Sequence, residues 1–148
     1  MNYVLDAQTA LAWHYADEAT PALDSLLDGF ESGNRAFVPT IFLYEVANSL
    51  VVNERKKAPR STPVQSGTFL AQLKALPIET DSESSGQAWQ KTMELARRHR
   101  LSVYDAAYLE LSLRSGLPLA SADPLLVPAA KKEGVALVLQ NTRPGSGV

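Results

Sequence analysis

Four acidic residues, Asp6, Glu45, Asp105 and Asp123, are the side chains of this sequence best placed to do chemistry. Asp6 closes a short apolar run, Asn2 to Leu5, and Asp123 lies just past another, Leu117 to Ala120. Glu45 falls about a turn into a helical stretch, and Asp105 falls near the start of another. If the two apolar runs are neighbouring parallel strands, Asp6 and Asp123 emerge on one sheet edge, and Glu45 and Asp105 can converge above it. Carboxylates brought that close repel one another and take up protons unless a cation is present. Mg²⁺ or Mn²⁺ suits such a site, because hard ions prefer oxygen ligands and Mg²⁺ keeps several waters. A bound ion lowers the pKa of a coordinated water and screens a phosphate, which serves phosphodiester hydrolysis. Two ions about 4 Å apart, or one ion with a general base, both fit the sequence.

Each acid also has a plainer account. Asp6, Asp105 and Asp123 can cap the helices that follow them. Asp123 followed by Pro124 is a common way to open a helix. Glu45 can face solvent, as most helical glutamates do.

The elements that would position these acids can be read from periodicity. Asn2 to Leu5 reads as a buried strand, residues 7 to 16 as a helix, and Asp17 to Gly33 as a second helix stopped by its glycine. Residues 36 to 38 make a short strand. Thr40 is positioned to cap a helix running to about Lys57. The proline-rich APRSTP segment, residues 58 to 63, is a loop. Another helix reaches about Leu76, and residues 77 to 79 form a weak strand. Ser82 to Arg100 reads as one helix with Trp89, Met93 and Leu95 as buried contacts. Ser102 to Ser115 is a helix ended by Gly116, Leu117 to Ala120 a strand, Pro124 to Glu133 a short helix, and Val135 to Leu139 a last strand. Strands alternating with helices predict an α/β fold whose parallel sheet is covered on both faces. In such sheets polar site residues gather at the carboxyl ends of the strands.

At 148 residues, the chain has the size of one domain. The domain is expected over residues 1–140, with 141–148 a flexible tail. A net charge of −2 and a pI near 5.7 are unlike a general nucleic-acid binder, so any attraction to RNA or DNA must come from local patches or metal ions. The absence of cysteine excludes disulfides and thiolate metal sites. No apolar run approaches the roughly 20 residues of a membrane helix. The N-terminus lacks the basic and apolar regions of a signal peptide, so a cytoplasmic location is the expectation.

Four segments carry a family resemblance: YVLDAQTALAW around Asp6, VPTIFLYEVANSL around Glu45 and Asn48, LSVYDAAYLELS around Asp105, and PLASADPLL with Ser121 and Asp123. In that order, across nearly the whole chain, they resemble the PIN domain, most closely its VapC-type toxin branch. The resemblance implies a three-layer α/β/α fold with a central parallel sheet of four to five strands. It implies an Mg²⁺-dependent endoribonuclease, with Mn²⁺ a possible substitute, in which Asp6, Glu45, Asp105 and Asp123 hold the metal. It further implies the toxin of a type II toxin–antitoxin pair of the VapBC kind: a homodimer that cleaves RNA, tRNA or another structured RNA among the candidates, and is blocked by a cognate antitoxin. Family members often carry Ser or Thr two positions after the first aspartate. This chain has Gln8 there, leaving Thr9 to supply the hydroxyl or Gln8 its amide.

Behind the acids, Asn48 shares a helix face with Glu45 and could orient it or a metal-bound water. Ser121 could support the site or cap a turn, and Thr9 could support Asp6. Arg55, Lys56, Lys57 and Arg60, and likewise Arg97, Arg98 and Arg100, read mainly as solvated helix ends. The first four are kept as candidate RNA contacts. His14 and His99 lie outside any catalytic pattern and read as structural. Trp13, Tyr15, Phe42 and Tyr44 could stack on bases, although core or interface packing explains them better.

Two rival functions come from other classes. One is a PIN-like binding module of little activity, working through dimer or partner contacts. The other is a phosphoacceptor receiver, which needs an acceptor aspartate after a middle strand and a later lysine; that spacing is absent.

Overall fold

The structure is a computed structural model and is described for residues 1–139; the expected tail 141–148 lies outside the described residues. The chain runs β1 (Asn2–Leu5), α1 (Ala7–Ala12), α2 (Pro21–Asp28), β2 (Arg35–Val38), α3 (Ile41–Glu54), α4 (Pro63–Ala75), β3 (Ile78–Thr80), α5 (Ser84–Gln87), α6 (Met93–His99), α7 (Val103–Ser115), β4 (Leu119–Ala120) and α8 (Leu126–Lys132). The four strands form one parallel sheet in the order β3-β2-β1-β4. Tyr3, Val4, Leu5, Ala36, Val38, Leu119 and Ala120 are all fully buried, as they must be where helices cover both faces of a parallel sheet. The result is the three-layer α/β/α arrangement that the alternation predicts.

Local chemistry sets the element ends. Thr20, Thr62 and Ser102 cap α2, α4 and α7 through their side chains, with Gln65 completing a capping box at α4. Gly33 and Gly116 take left-handed conformations, φ +94° and +70°, where the chain leaves a helix for a strand.

The strand order positions the site. From β1 the chain moves outward through β2 to β3, then crosses back to place β4 on the other side of β1. The crevice at such a switch in direction, outside the carboxyl ends of the strands, is where open α/β sheets bind ligands. Val4 pairs with Phe37 on one side and Leu119 on the other, and Leu5 pairs with Ala120, so Asp6 leaves the sheet at that crevice.

Several elements differ from the periodic expectation. The first helix stops at Ala12, because Tyr15 turns extended (φ −102°, ψ 112°) to bury its ring and accept a hydrogen bond from Asn53 Nδ2 at 3.0 Å. The stretch 17–33 divides into a 3₁₀ turn at Ala16–Glu18, then α2, then a second 3₁₀ turn at Gly29–Ser32. Thr40 stands at the N-cap position without a side-chain capping bond: its backbone is already helical, and its N–H donates to Ser84 Oγ at 3.1 Å. The helix it opens ends at Glu54 rather than Lys57. Trp89 is not a core contact but 90% exposed. It sits in a π-helical turn, Ala88–Thr92, joining α5 to α6, and the wider turn shifts the face that a regular 3.6-residue period assigns. Val135 to Leu139 contributes only one parallel bridge, Leu137 to Leu119, rather than a ladder.

Candidate metal and active site

The acids meet at the carboxyl edge of β1 and β4. Asp6 has the extended backbone of an N-cap (φ −85°, ψ 160°), and its Oδ1 accepts from Thr9 N–H at 2.8 Å. The plainer capping account is therefore correct for Asp6, whose carboxyl is only 4% exposed. Thr9 is buried too, and its hydroxyl donates to Ala120 O at 3.3 Å, tying α1 to the end of β4. Ser121 is fully buried. It hydrogen-bonds Asp6 and its Oγ accepts from Asp123 N–H at 3.1 Å, so one hydroxyl touches both acids. Thr9 and Ser121 thus both hydrogen-bond the Asp6 carboxylate.

Asp123 Oδ1 accepts from Leu125 and Leu126 N–H at 2.8 and 2.9 Å, capping the turn that opens α8. Asp105 does not cap α7. Ser102 does, accepting from Asp105 N–H at 3.0 Å; the Asp105 carboxylate, hydrogen-bonded to Ser102, lies in the first turn, where the helix dipole favours an anion. Glu45 lies on α3, half-buried, and its Oε1 accepts from the Tyr108 hydroxyl at 2.6 Å.

Electrostatics show the convergence. Burial raises the pKa of Asp6, which the Asp123 charge raises further while Ser121 and Thr9 hydrogen bonds hold it down. Burial also raises Glu45, opposed by Tyr108 and reinforced by Asp105 and Asp6. Asp105 is raised by burial, then by Asp123 and Asp6. Residues up to 117 positions apart in sequence, Asp6 and Asp123, therefore share one field. Among the described residues no three acids close into a ready-made cage for an ion. An all-oxygen set of spread carboxylates, repelling one another, fits a hard cation that retains several waters rather than one fully enclosed by protein.

Tyr108 is the residue that sequence reasoning missed. It lies three positions after Asp105 on α7, hence on the same face, and it is 1% exposed. The signal was that spacing; its partner on α3 was not foreseeable from it. Asn48, by contrast, is exposed on α3, and Glu45 takes its hydrogen bond from Tyr108 rather than from that amide.

The basic candidates separate. Arg60 pairs with Asp17 at 2.6 Å and Glu18 at 2.9 Å and lies 4.0 Å over the Tyr15 ring. Lys56 borders the recess that contains Glu45, and Arg55 and Lys57 are exposed nearby. Arg98 pairs with Glu94 and Glu133. His14 bonds Ser61 at 2.9 Å and stacks on Phe69, and His99 bonds Glu133 at 2.9 Å, both as structural groups. Trp13 packs edge-on against Phe30 and donates to Leu23 O, while Tyr15 and Phe42 are buried. Of the four aromatics only Tyr44 is exposed.

The PIN domain matches residues 3–132, and the chain belongs to that family, whose members are generally nucleases. No curated protein matches it significantly. Among solved structures, PAE2754 from Pyrobaculum aerophilum is 19% identical with a TM-score of 0.60, over 93% of this chain and 90% of that one. VapBC2 from Rickettsia felis, bound to a DNA fragment from its promoter, is 13% identical with a TM-score of 0.64, over 93% and 97%. FitAcB from Neisseria gonorrhoeae is 15% identical with a TM-score of 0.60, over 93% and 96%. At these identities the likeness is one of fold.

Proposed function

We propose that this chain is a metal-dependent endoribonuclease and the toxin of a VapBC-like toxin–antitoxin pair. The observation that carries the proposal is the mutual electrostatic influence of Asp6, Glu45, Asp105 and Asp123, three of them with raised pKa. Such a cluster of mutually repelling carboxylates supports a catalytic or ion-binding role beside the capping that Asp6 and Asp123 perform. Asp6 and Asp105 would hold Mg²⁺, or Mn²⁺ in its place, with Glu45 and the free oxygen of Asp123 completing the set directly or through water. Bound Mg²⁺ would supply a water of lowered pKa and screen the phosphodiester. Thr9 and Ser121 fix the Asp6 carboxylate, and Tyr108 fixes Glu45, so the acids present a constant geometry to an attacking water.

Partners follow the same reading. Structural relatives include complexes of the VapBC and FitAB kind, which supports a cognate antitoxin. An apolar groove bordered by Ile41, Tyr44, Ala88, Val103, Tyr104 and Ala107 supports a homodimer, since exposed apolar patches of this sort mark interaction surfaces. Arg55, Lys56 and Lys57 supply positive charge near the acids for an RNA backbone, whereas Arg60 is committed to its own ion pairs. No helix among the described residues is long and apolar enough to cross a membrane; a cytoplasmic site of action is part of the proposal.

One alternative keeps a specific footing: a PIN-like binding module of little activity. Asp123 spends one oxygen on capping, and no three acids close on an ion unaided. Calorimetric titration with Mn²⁺ separates the two. The nuclease binds Mn²⁺ in a manner abolished by Asp6→Asn and cuts RNA; the binding module shows neither.

A further inference from the structure

The Glu45 side of the site opens into a cavity of about 330 Å³ between α1 and α3, at the small end of the range for ligand pockets. Helical spacing builds it. Glu45, Asn48, Ser49, Val52, Asn53 and Lys56 project from α3 and its end, and Ala7, Gln8 and Leu11 of α1 form the opposite wall; the Asn53 amide is already spent on Tyr15 and Ser49. The lining is a balance of polar and apolar groups, unlike the apolar groove beyond Tyr44. Gln8 and Asn48 are exposed, and among the described residues neither carboxamide, nor the Lys56 ammonium, makes a side-chain hydrogen bond or ion pair. Glu45 takes its bond from Tyr108, so Asn48 is not engaged in orienting it.

We propose that this recess reads a purine base next to the scissile phosphate of the RNA, with Gln8 and Asn48 as specificity-determining residues and Lys56 assisting. The proposal rests on the endoribonuclease reading of the acids. Unpaired RNA bases are recognised by hydrogen bonds to their edges. A carboxamide presents a donor and an acceptor side by side, which matches adenine N6 and N7, while an ammonium matches guanine O6 and N7. The acceptor common to both is N7, which pyrimidines lack. A pyrimidine can pair with one carboxamide through its Watson–Crick edge, but only a purine adds a second edge carrying N7, so a recess lined by two free carboxamides and one free ammonium engages a purine at more points. Val52 and Leu11 supply the apolar contact for the ring. The place of Gln8 next to Ala7, one residue from the capping aspartate, sets the base beside the metal acids rather than remote from them.

The test uses the full chain carrying Asp6→Asn, so that binding is measured without cleavage. Fluorescein-labelled hexauridine RNAs with a single central A or C are titrated and followed by anisotropy. The A-containing RNA is expected to bind about tenfold more tightly than the C-containing one, and Gln8→Ala with Asn48→Ala in the same background to erase the difference. Because both side chains are exposed, thermal melting should show these variants folded. Equal binding of the two RNAs, or a preference that survives both substitutions, overturns the proposal. Mapping cuts made by the parent chain in a random-sequence RNA keeps the two ideas apart. Cleavage without a purine at a fixed position overturns the recess assignment alone. A purine preference in binding with no cleavage sustains the recess and overturns the nuclease reading.

Discussion

The Tyr108 hydroxyl donates a 2.6 Å hydrogen bond to Glu45 Oε1, joining α7 to α3 beside the acidic site. The phenol itself is pushed far above its ordinary pKa, by burial first and then by the Glu45 charge, so it stays a donor at any working pH. Its bond favours the ionised form of Glu45 against the burial that raises it. Tyr108→Phe keeps the buried ring and removes the donor. Glu45 should then titrate higher, and the acidic limb of the rate–pH profile should move to higher pH, with a loss of about 1 kcal/mol in stability. Superimposable profiles for the two proteins would show that the bond does not tune Glu45.

Asp6, Glu45 and Asp105 all have folded pKa values raised above those of the unfolded chain. A carboxyl raised in this way favours the fold below its unfolded pKa and loses that contribution as pH climbs through the folded one. At neutral pH the ionised cluster therefore works against stability, and a bound cation offsets it. Mg²⁺ should raise the melting temperature at pH 7.5, and the gain should shrink as pH falls through the carboxylate range. Differential scanning fluorimetry reads this directly. A melting temperature indifferent to Mg²⁺ at pH 7.5 would count against ion binding at these acids.

The double role of Asp6 separates charge from capping. Asn caps helices about as well as Asp, and Ala does not. Asp6→Asn keeps the bond to Thr9 N–H and removes the buried charge, and so should be at least as stable as the parent without metal. Asp6→Ala loses both and should fall about 1 kcal/mol below Asp6→Asn. Urea melts of the two variants in EDTA make the comparison; an Asn variant less stable than the Ala variant would show that Asp6 does not act as the cap.

How much of this was legible in the sequence follows from which interactions are local. Asp6 and Asp105 could be found because each stands at an element end that periodicity marks, and parallel strand order brings such ends together. The capping of Asp6 was foreseeable for the same reason, while at α7 the cap read for Asp105 belongs to Ser102. Tyr108 was hidden, since its partner lies 63 residues away on another helix. Trp89 was misplaced because a π-helical turn breaks the period on which its burial was inferred. Thr40 was read as a cap from its type alone, whereas Ser84, 44 residues on, accepts from its N–H. Tertiary contacts between elements, not propensity within them, account for each miss.

Away from the site, Arg114 binds Glu110, Asp81 and Glu83 at 2.6 to 3.2 Å. Glu110 is only 2% exposed, and Arg114 is the cation that bonds it in α7. Arg114→Met should leave that charge buried without its partner and cost roughly 3 kcal/mol or more. Adding Glu110→Leu should recover most of the loss. Thermal melts of the single and double variants decide it: a double variant no more stable than Arg114→Met would refute the pairing as the cause.

A metal-dependent ribonuclease site at the four carboxylates would cut RNA only with its ion and its acids in place. The most direct measurement is cleavage of a labelled RNA by the purified chain with Mg²⁺, with EDTA, and with Mg²⁺ after Asp105→Asn, the fold being checked by circular dichroism. Endonucleolytic products are expected in the first case only, with a folded and inactive variant. Cleavage that persists in EDTA, or an Asp105→Asn protein as active as the parent, would contradict it.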